Sequence, residues 1–295
     1  MSNTIYTPKD QQDWLNKRYE GIGASESSAI LGVSEYKTPL QVWYEKVYRE
    51  PAQHQNYLMR AGQYFELGII DWLKDQLVSV SEVINTKVIY ISKEVPYLFC
   101  TPDAVLRFDD GSQSFIEVKY VENAWHKWDN GIPLVYQIQC QHQMFVAGLD
   151  YMYLGVYIVH EGFRHWEIKR DDDFIETLVQ ELMFFWNEFV LTKRKPPASY
   201  GDNDIIKKLY PTPEVAKVEL PQDALSLDEK YLELKEAQEL IRKELDVVEN
   251  KLKMLIGDAE VAVLPTGNIY TYKQYNRKEV VQKASTYRTL KRKGI

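Results

Sequence analysis

The chain has little of what several common chemistries require. Its 295 residues include only two cysteines, Cys100 and Cys140. They cannot supply the thiolates of a four-cysteine zinc site or an iron–sulfur cluster, and a disulfide would be unusual in a reducing cytosol. Both read as small buried apolar side chains. Of five histidines, His54, His126, His160 and His165 lack ligand spacing, and His142 reads as a lone polar contact. Apolar runs such as Leu182–Phe185 fall far short of the ~20 residues a membrane span needs. The opening MSNTIYTPKDQQDW has no basic-then-apolar layout. The expectation is a protein of the cytoplasm with no membrane partner. Positive charge is also short, with 36 Lys and Arg against 43 Asp and Glu, a net charge of −7. That excludes an evenly basic surface but not a local one, because a polyanion needs cations only along its own path. The charge is in fact uneven. Residues 171–181 and 228–250 are acid-rich, while the last 21 residues carry Arg277, Lys278, Lys283, Arg288, Lys291, Arg292 and Lys293 against Glu279.

At 45% hydrophobic and 27% charged, the composition fits one large globular domain or two moderate ones. Residues 26–48 predict helix in two pieces, broken around Gly32–Pro39. In 61–77, Phe65, Ile69, Trp72, Leu73 and Leu77 recur at helical spacing. VIYIS (88–92) and YLFCTPDAVLRF (97–108), the latter broken at Pro102, have strand character. The Asp109-Asp110-Gly111 turn then leads into SFIEVKYV (114–121), completing a hairpin. A helix over 133–149 starts at Pro133 and ends at Gly148. Strands at 151–159 and 165–170 follow, then an amphipathic helix over 171–192. The sum is an α/β architecture with a central mixed sheet of about five strands flanked by helices. The polar, proline-bearing stretch 193–204 separates a domain at 1–195 from a region at 205–295. In that region Leu227, Tyr231, Leu234, Ile241, Leu245, Val248, Leu252 and Leu255 step by four and three, with Gln238 in the remaining position. This heptad helix ends at Gly257. It could pack on its own domain, pair with a second copy or dock a partner. VAVLPTGNIYTYK predicts a small hairpin turning at Thr266-Gly267-Asn268, and the basic tail after it would suit DNA contact or simple solvation.

The informative feature is Thr101-Pro102-Asp103, then 13 residues, then Glu117-Val118-Lys119. On a strand, residues two apart share a face, so Glu117 and Lys119 project together while Val118 turns away. A hairpin partner brings Asp103 close to Glu117. Two carboxylates with the Val118 backbone carbonyl make a hard-oxygen site suited to Mg2+ or Mn2+. The Lys119 ammonium beside it could orient or deprotonate an attacking water and offset charge. Each fragment alone is commonplace, and a polar surface hairpin would look similar; order, spacing and the apolar flanks Phe115, Ile116 and Val118 favour the site.

These residues resemble the PD-(D/E)xK core of the lambda exonuclease and YqaJ-type viral recombinase family, whose fold is restriction-endonuclease-like. Trp14 to Arg18 and Gly23-Ala24-Ser25-Glu26 are similar to its N-terminal segment. Gly62-Gln63-Tyr64-Phe65-Glu66 resembles its helix-borne acid, and Trp125 and Trp128 its linker. Tyr136-Gln137-Ile138-Gln139-Cys140-Gln141-His142-Gln143-Met144 resembles its glutamine helix. The resemblance covers residues 12–192. It implies that Asp103, Glu117 and the Val118 carbonyl bind metal, that Lys119 serves the water, and that Glu66 binds a second ion or its waters. It implies Arg18 as the grip on a 5′-terminal phosphate, with Ser25 and Thr101 as hydroxyl donors; Thr101 stands where serine is usual. Gln139 would bridge the acids and the DNA, with Tyr136 beside it. The implied activity is a 5′→3′ exonuclease on linear double-stranded DNA that leaves 3′ overhangs for phage-type recombination. The implied setting is a homo-oligomer with two metal ions per site and a single-strand annealing protein, in a bacterial host cytoplasm. The alternatives are an endonuclease on the same scaffold, or a DNA-binding module without catalysis.

Overall fold

A computed structural model of the chain describes residues 4–51, 57–85, 87–122, 125–214, 217–276 and 288–292, apart from the side chains of residues 58, 59 and 125. Its elements in order are β1 (Thr4–Tyr6), α1 (Gln11–Tyr19), β2 (Ile22–Gly23), a 3-10 turn (Ala24–Glu26), α2 (Ser27–Ile30), α3 (Pro39–Tyr48) and α4 (Tyr57–Gln76). Five strands follow: β3 (Val80–Asn85), β4 (Ile89–Ile91), β5 (Leu98–Cys100), β6 (Ala104–Phe108) and β7 (Gln113–Val121). A second 3-10 turn (Trp125–Trp128), α5 (Leu134–Ala147), β8 (Tyr151–Ile158), β9 (Gly162–Lys169), α6 (Asp172–Phe185), a π-helical stretch (Trp186–Leu191) and α7 (Asn203–Leu209) complete the first unit. Local chemistry explains several boundaries. Asp10 caps α1 by accepting from Asp13 N at 2.8 Å. Thr38 and Gln41 form a reciprocal capping box on α3, with Pro39 in the first turn.

The main sheet has the order β3-β6-β7-β8-β9, antiparallel except for the β7–β8 pair. That parallel pair needs a crossover, and α5 supplies it. A smaller sheet runs β1-β4-β5-β2. The expected count of five strands therefore holds for the main sheet, but its membership differs. Residues 88–92 and 97–100 leave for the small sheet, and Val80–Asn85, not anticipated as a strand, takes the edge. The cause is Pro102, which brings no N–H to a ladder and ends β5. After it, Asp103 N donates to the Ile116 carbonyl at 3.1 Å and the chain enters the main sheet as β6.

Strand alternation divides the core between two faces. Ala104, Leu106, Ile116 and Val118 pack with Ile69, Ile70 and Leu73 of α4. Val105, Phe115, Leu154 and Val156 pack on the other face with Ile138 and Met144 of α5. Gly155 lets α4 settle on β8, since a Cβ there would stand 3.1 Å from Ile69 Cγ2 and 3.4 Å from Leu73 Cδ2. Leu73 is fully buried, and truncating such a residue to alanine costs about 3 kcal/mol. Both cysteines are buried and free, and burial pushes both thiols well above their usual range.

The chain divides after Leu209. The first unit so includes α7, beyond the residue 195 expected from composition. Ile205 is buried, Asp202 accepts from the Thr38 hydroxyl, and Gln41 Nε2 donates to the Gly201 carbonyl at 3.3 Å. These bonds tie the proline-bearing stretch to α3. The second unit holds α8 (Ala224–Ile256) and the hairpin β10 (Val261–Val263) and β11 (Ile269–Thr271), turning where expected. None of the α8 residues is buried, and Leu227, Leu234, Ile241, Leu245, Val248 and Leu255 of the heptad stripe are exposed. The stripe is thus not packed into a core among the described residues. Of the basic tail, Arg288 donates to the Tyr210 carbonyl and Arg292 pairs with Asp228 at 2.7 Å; Arg277, Lys278, Lys283 and Lys293 lie outside the described residues. No helix among the described residues is long and apolar enough to cross a membrane.

Candidate active site

The face of β7 that carries Phe115 also carries Glu117 and Lys119, so both point toward α5. Lys119 Nζ lies 2.5 Å from Glu117 Oε1. From α5, Gln139 Nε2 donates to the same oxygen at 2.7 Å and Gln143 Nε2 to Glu117 Oε2 at 2.5 Å. Glutamines four apart on a helix share a face, and here they hold both oxygens of one carboxylate. The sequence reading assigns this role to Gln139 alone. Gln143 carries the same signal, the i, i+4 spacing, but it is one of four glutamines on the helix. Asp103 enters from the turn after β5, its Oδ2 accepting from Val118 N at 2.7 Å.

Asp103 and Glu117 line one cavity of about 250 Å3 together with Lys119, Gln139, Gln143 and Arg18. Ser25 and Thr101 also line it. The two acids thus converge, as the hairpin argument requires. Desolvation first, and the Glu117 carboxylate second, raise the Asp103 carboxyl well above its usual range. Burial pulls the Lys119 ammonium down, but Glu117 and Asp103 outweigh it and leave its pKa raised. Lys119 therefore stands as a firm cation against two carboxylates, one positive charge short of balance.

Arg18 and Ser25 reach the cavity because β2 pairs parallel with β5, Ile22 opposite Leu98 and Gly23 opposite Phe99. Gly21 permits this approach, since a Cβ there would lie 2.2 Å from the Tyr97 carbonyl oxygen. The turns after β2 and after β5 then open on the same space. Arg18 donates to Ser25 Oγ at 3.3 Å, and its guanidinium stacks over the Trp14 ring at 4.8 Å.

Three expected residues, Tyr136, Val118 and Glu66, stand apart from this cavity's lining. Tyr136 lies on the other side of Lys119, whose Nζ sits 5.3 Å from its ring centroid, and lines a second cavity of about 720 Å3 together with Val118, Tyr36, Tyr120 and Trp128. Glu66 belongs to α4, the helix on the opposite face of the sheet. Its carboxyl is raised by burial and then by Glu117, so it is within electrostatic reach of the pair. His142 is a polar contact, its Nδ1 2.6 Å from Ser27 Oγ. Burial lowers its pKa to about 3, which keeps it neutral. Trp128 is buried and stacks on Tyr136 and Trp166.

Among the described residues no three carboxylate, imidazole or thiolate side chains gather as a ready-made metal cage. The donor set nonetheless fits a hard divalent cation. Two carboxylates share a cavity in which Lys119 is the one cation paired with them, and the buried Gln143 Oε1 beside them has no hydrogen-bond partner among the described residues. Asp103 and Glu117 would hold the ion, with oxygen ligands of the type Mg2+ and Mn2+ prefer.

A mixed sheet flanked by α4 and α5, with one acid just before β6 and an acid–lysine pair on β7, defines the restriction-endonuclease-like class. The crystal structure of an alkaline exonuclease, LHK-Exo, from Laribacter hongkongensis has this fold, with a TM-score of 0.51 at 18% identity over 62% of this chain and 94% of that one. Its complex with dAMP gives 0.53 at 17% identity, over 67% and 100%. Residues 13–150 match the model of the YqaJ-like viral recombinase domain. Uncharacterized protein YqaJ of Bacillus subtilis is 28% identical over 261 residues, 85% of this chain and 79% of that protein. The CRISPR-associated exonuclease Cas4 of Saccharolobus solfataricus is 27% identical over 167 residues, 55% of this chain and 80% of that protein.

Proposed function

We propose that the chain is a metal-dependent nuclease that digests one strand of linear double-stranded DNA from its 5′ end, leaving a 3′ overhang for recombination. The observation that carries this reading is the convergence of Asp103 and Glu117 beside Lys119, in a cavity that Arg18 also lines. The match to the YqaJ-like viral recombinase model and the exonuclease names of the relatives support the same reaction class.

A divalent cation at Asp103 and Glu117 would supply Lewis acidity, drawing charge from a phosphate and acidifying water. The Val118 carbonyl is the third ligand we assign, and Glu66 would serve a second ion or its waters. Lys119, held protonated by its carboxylate neighbours, offsets charge that builds on the scissile phosphate and orients the nucleophile. Gln139 and Gln143 fix the rotamer of Glu117, so its oxygens need no reorganisation during the reaction. Arg18 presents a planar fork of donors, which suits a terminal phosphate dianion. Ser25 and Thr101 add hydroxyl donors, and Tyr136 contacts the DNA beyond Lys119. The family resemblance further supports a homo-oligomer acting with a single-strand annealing protein in a bacterial cytoplasm.

The test is digestion of 5′-phosphorylated linear duplex and of covalently closed duplex, with Mg2+ or with EDTA. Degradation of the linear substrate alone, abolished by EDTA, is the expected result. Cutting of closed circles would replace this reading by an endonuclease. Binding without hydrolysis would replace it by a DNA-binding module.

A further inference from the structure

Behind Arg18 lies a buried ion pair that the reaction as described does not use. Glu26, in the turn after β2, and Lys46, on α3, are 3% and 1% exposed in their side chains and lie 2.7 Å apart. All three Lys46 protons are spent: on Glu26 Oε1 at 2.8 Å, on Glu26 Oε2 at 2.7 Å and on the Arg18 main-chain carbonyl at 2.7 Å. That carbonyl lies in the last turn of α1, where carbonyls lack intrahelical partners. Glu26 in turn accepts from Gly23 N at 2.8 Å and from Arg18 Nη2 at 3.2 Å. Lys46 thus holds Arg18 twice, by its backbone and through the carboxylate that grips its guanidinium.

Stability alone is a weak reason for such a pair, because apolar residues of similar volume commonly do as well. The charge count gives a better one. Glu26 faces two cations, Arg18 and Lys46, so one positive charge is left over. Arg18, the member that lines the cavity, carries it there. Were Lys46 apolar, Glu26 and Arg18 would neutralise each other, and the guanidinium would offer the cavity no net charge.

We propose that Lys46 is a positioning residue: through Glu26 it holds Arg18 toward the cavity with its charge unspent, and so sets the enzyme's preference for a 5′-phosphorylated end. This rests on the reading of Arg18 as the 5′-phosphate grip. The experiment measures KM and kcat on linear duplexes with 5′-phosphate or 5′-hydroxyl ends. It compares the full-length wild type with Arg18→Ala, Lys46→Met, the neutral double variant Glu26→Gln/Lys46→Met, and Arg18→Ala/Lys46→Met.

Lys46→Met is expected to raise KM for 5′-phosphorylated ends about tenfold, with kcat at saturation changed less than about threefold. The preference for phosphate over hydroxyl ends should fall toward that of Arg18→Ala. Adding Lys46→Met to Arg18→Ala should change the preference no further, whereas a merely structural loss would add to it. If Lys46→Met fails to fold with Glu26 left unbalanced, the neutral double variant tests the hold alone: it leaves Arg18 its charge but removes both ties, so KM for 5′-phosphorylated ends should still rise, by less than about tenfold. A folded Lys46→Met that keeps the wild-type preference, or a folded double variant with unchanged KM, overturns the proposal. So does a pair that neither variant can lose without unfolding, since the pair is then part of the scaffold alone. A wild type with no phosphate preference, or one whose preference survives Arg18→Ala, would instead remove the underlying reading of Arg18.

Discussion

Two charge clusters meet at the cavity, and they are out of balance in opposite senses. In one, Asp103 and Glu117 face the single cation Lys119. In the other, Arg18 and Lys46 face the single anion Glu26. The electrostatics follow this count. Burial alone would push the Glu26 carboxyl up, but Lys46 and Arg18 hold it at about 2. Asp103, with desolvation and Glu117 both acting against its charge, is raised instead. A cluster left one charge short is a poor device for stability and a good one for binding the missing ion. The acidic cluster is suited to a cation and the basic one to a terminal phosphate, and a phosphodiester at a strand end needs both.

The sharpest way to break the comparison is to remove the cation from the acidic side. Lys119→Ala should retain fold and DNA binding while losing about 10^2 to 10^4 in hydrolysis rate. Digestion kinetics alongside a binding assay in EDTA would check this. On the basic side, Arg18→Ala should cost about ten- to a hundredfold in kcat/KM on 5′-phosphorylated ends, with a smaller loss on hydroxyl ends.

A third change tests the imbalance itself. Because the Asp103 carboxyl is raised in the folded state, the fold loses stability as pH rises through the window above the usual carboxylate value. Asp103→Asn should therefore stabilise the metal-free protein at neutral pH, by about 1 kcal/mol, and the gain should vanish in acid. Mg2+ should raise the Tm of the wild type and leave that of the variant unchanged. Thermal melts at two pH values, with and without the ion, read both effects.

The smallest effect belongs to the seam between the clusters. His142 sits on α5 between Gln139 and Gln143 and meets Ser27, the neighbour of Glu26 in the chain. Its pKa is lowered from 6.5 to about 3, so as pH falls below 6.5 the unfolded chain takes up a proton that the folded one refuses. Stability is whole above that value and declines below it, by at most about 1.4 kcal/mol per pH unit from this group. His142→Gln should shallow the acid limb of a Tm-against-pH curve and leave its neutral plateau in place.

The acidic cluster was more legible in the sequence than the basic one, for a physical reason. Glu117 and Lys119 share a strand, and Asp103 lies one hairpin away, so period-two alternation alone places them together. Gln139 and Gln143 share a helix face and could have been paired by spacing. Lys46 is bound to Glu26 only through the packing of α3 against the turn after β2, which no local pattern records. Glu66 could be placed on a helix from sequence, but not on the far face of the sheet. The same limit applies to the fold. Each strand pattern around Pro102 was visible, while the assignment of the two halves to different sheets depends on partners distant in the chain. In α8 the heptad was plain from the sequence, yet a stripe of apolar residues does not itself name what covers it.

The most direct test of the account is to locate the ion. Crystals of the full chain grown with Mn2+ and measured near the manganese absorption edge should give an anomalous peak within ligand distance of both Asp103 and Glu117, absent from Asp103→Asn. A protein that hydrolyses DNA with Mn2+ yet binds no ion between those two carboxylates would contradict it.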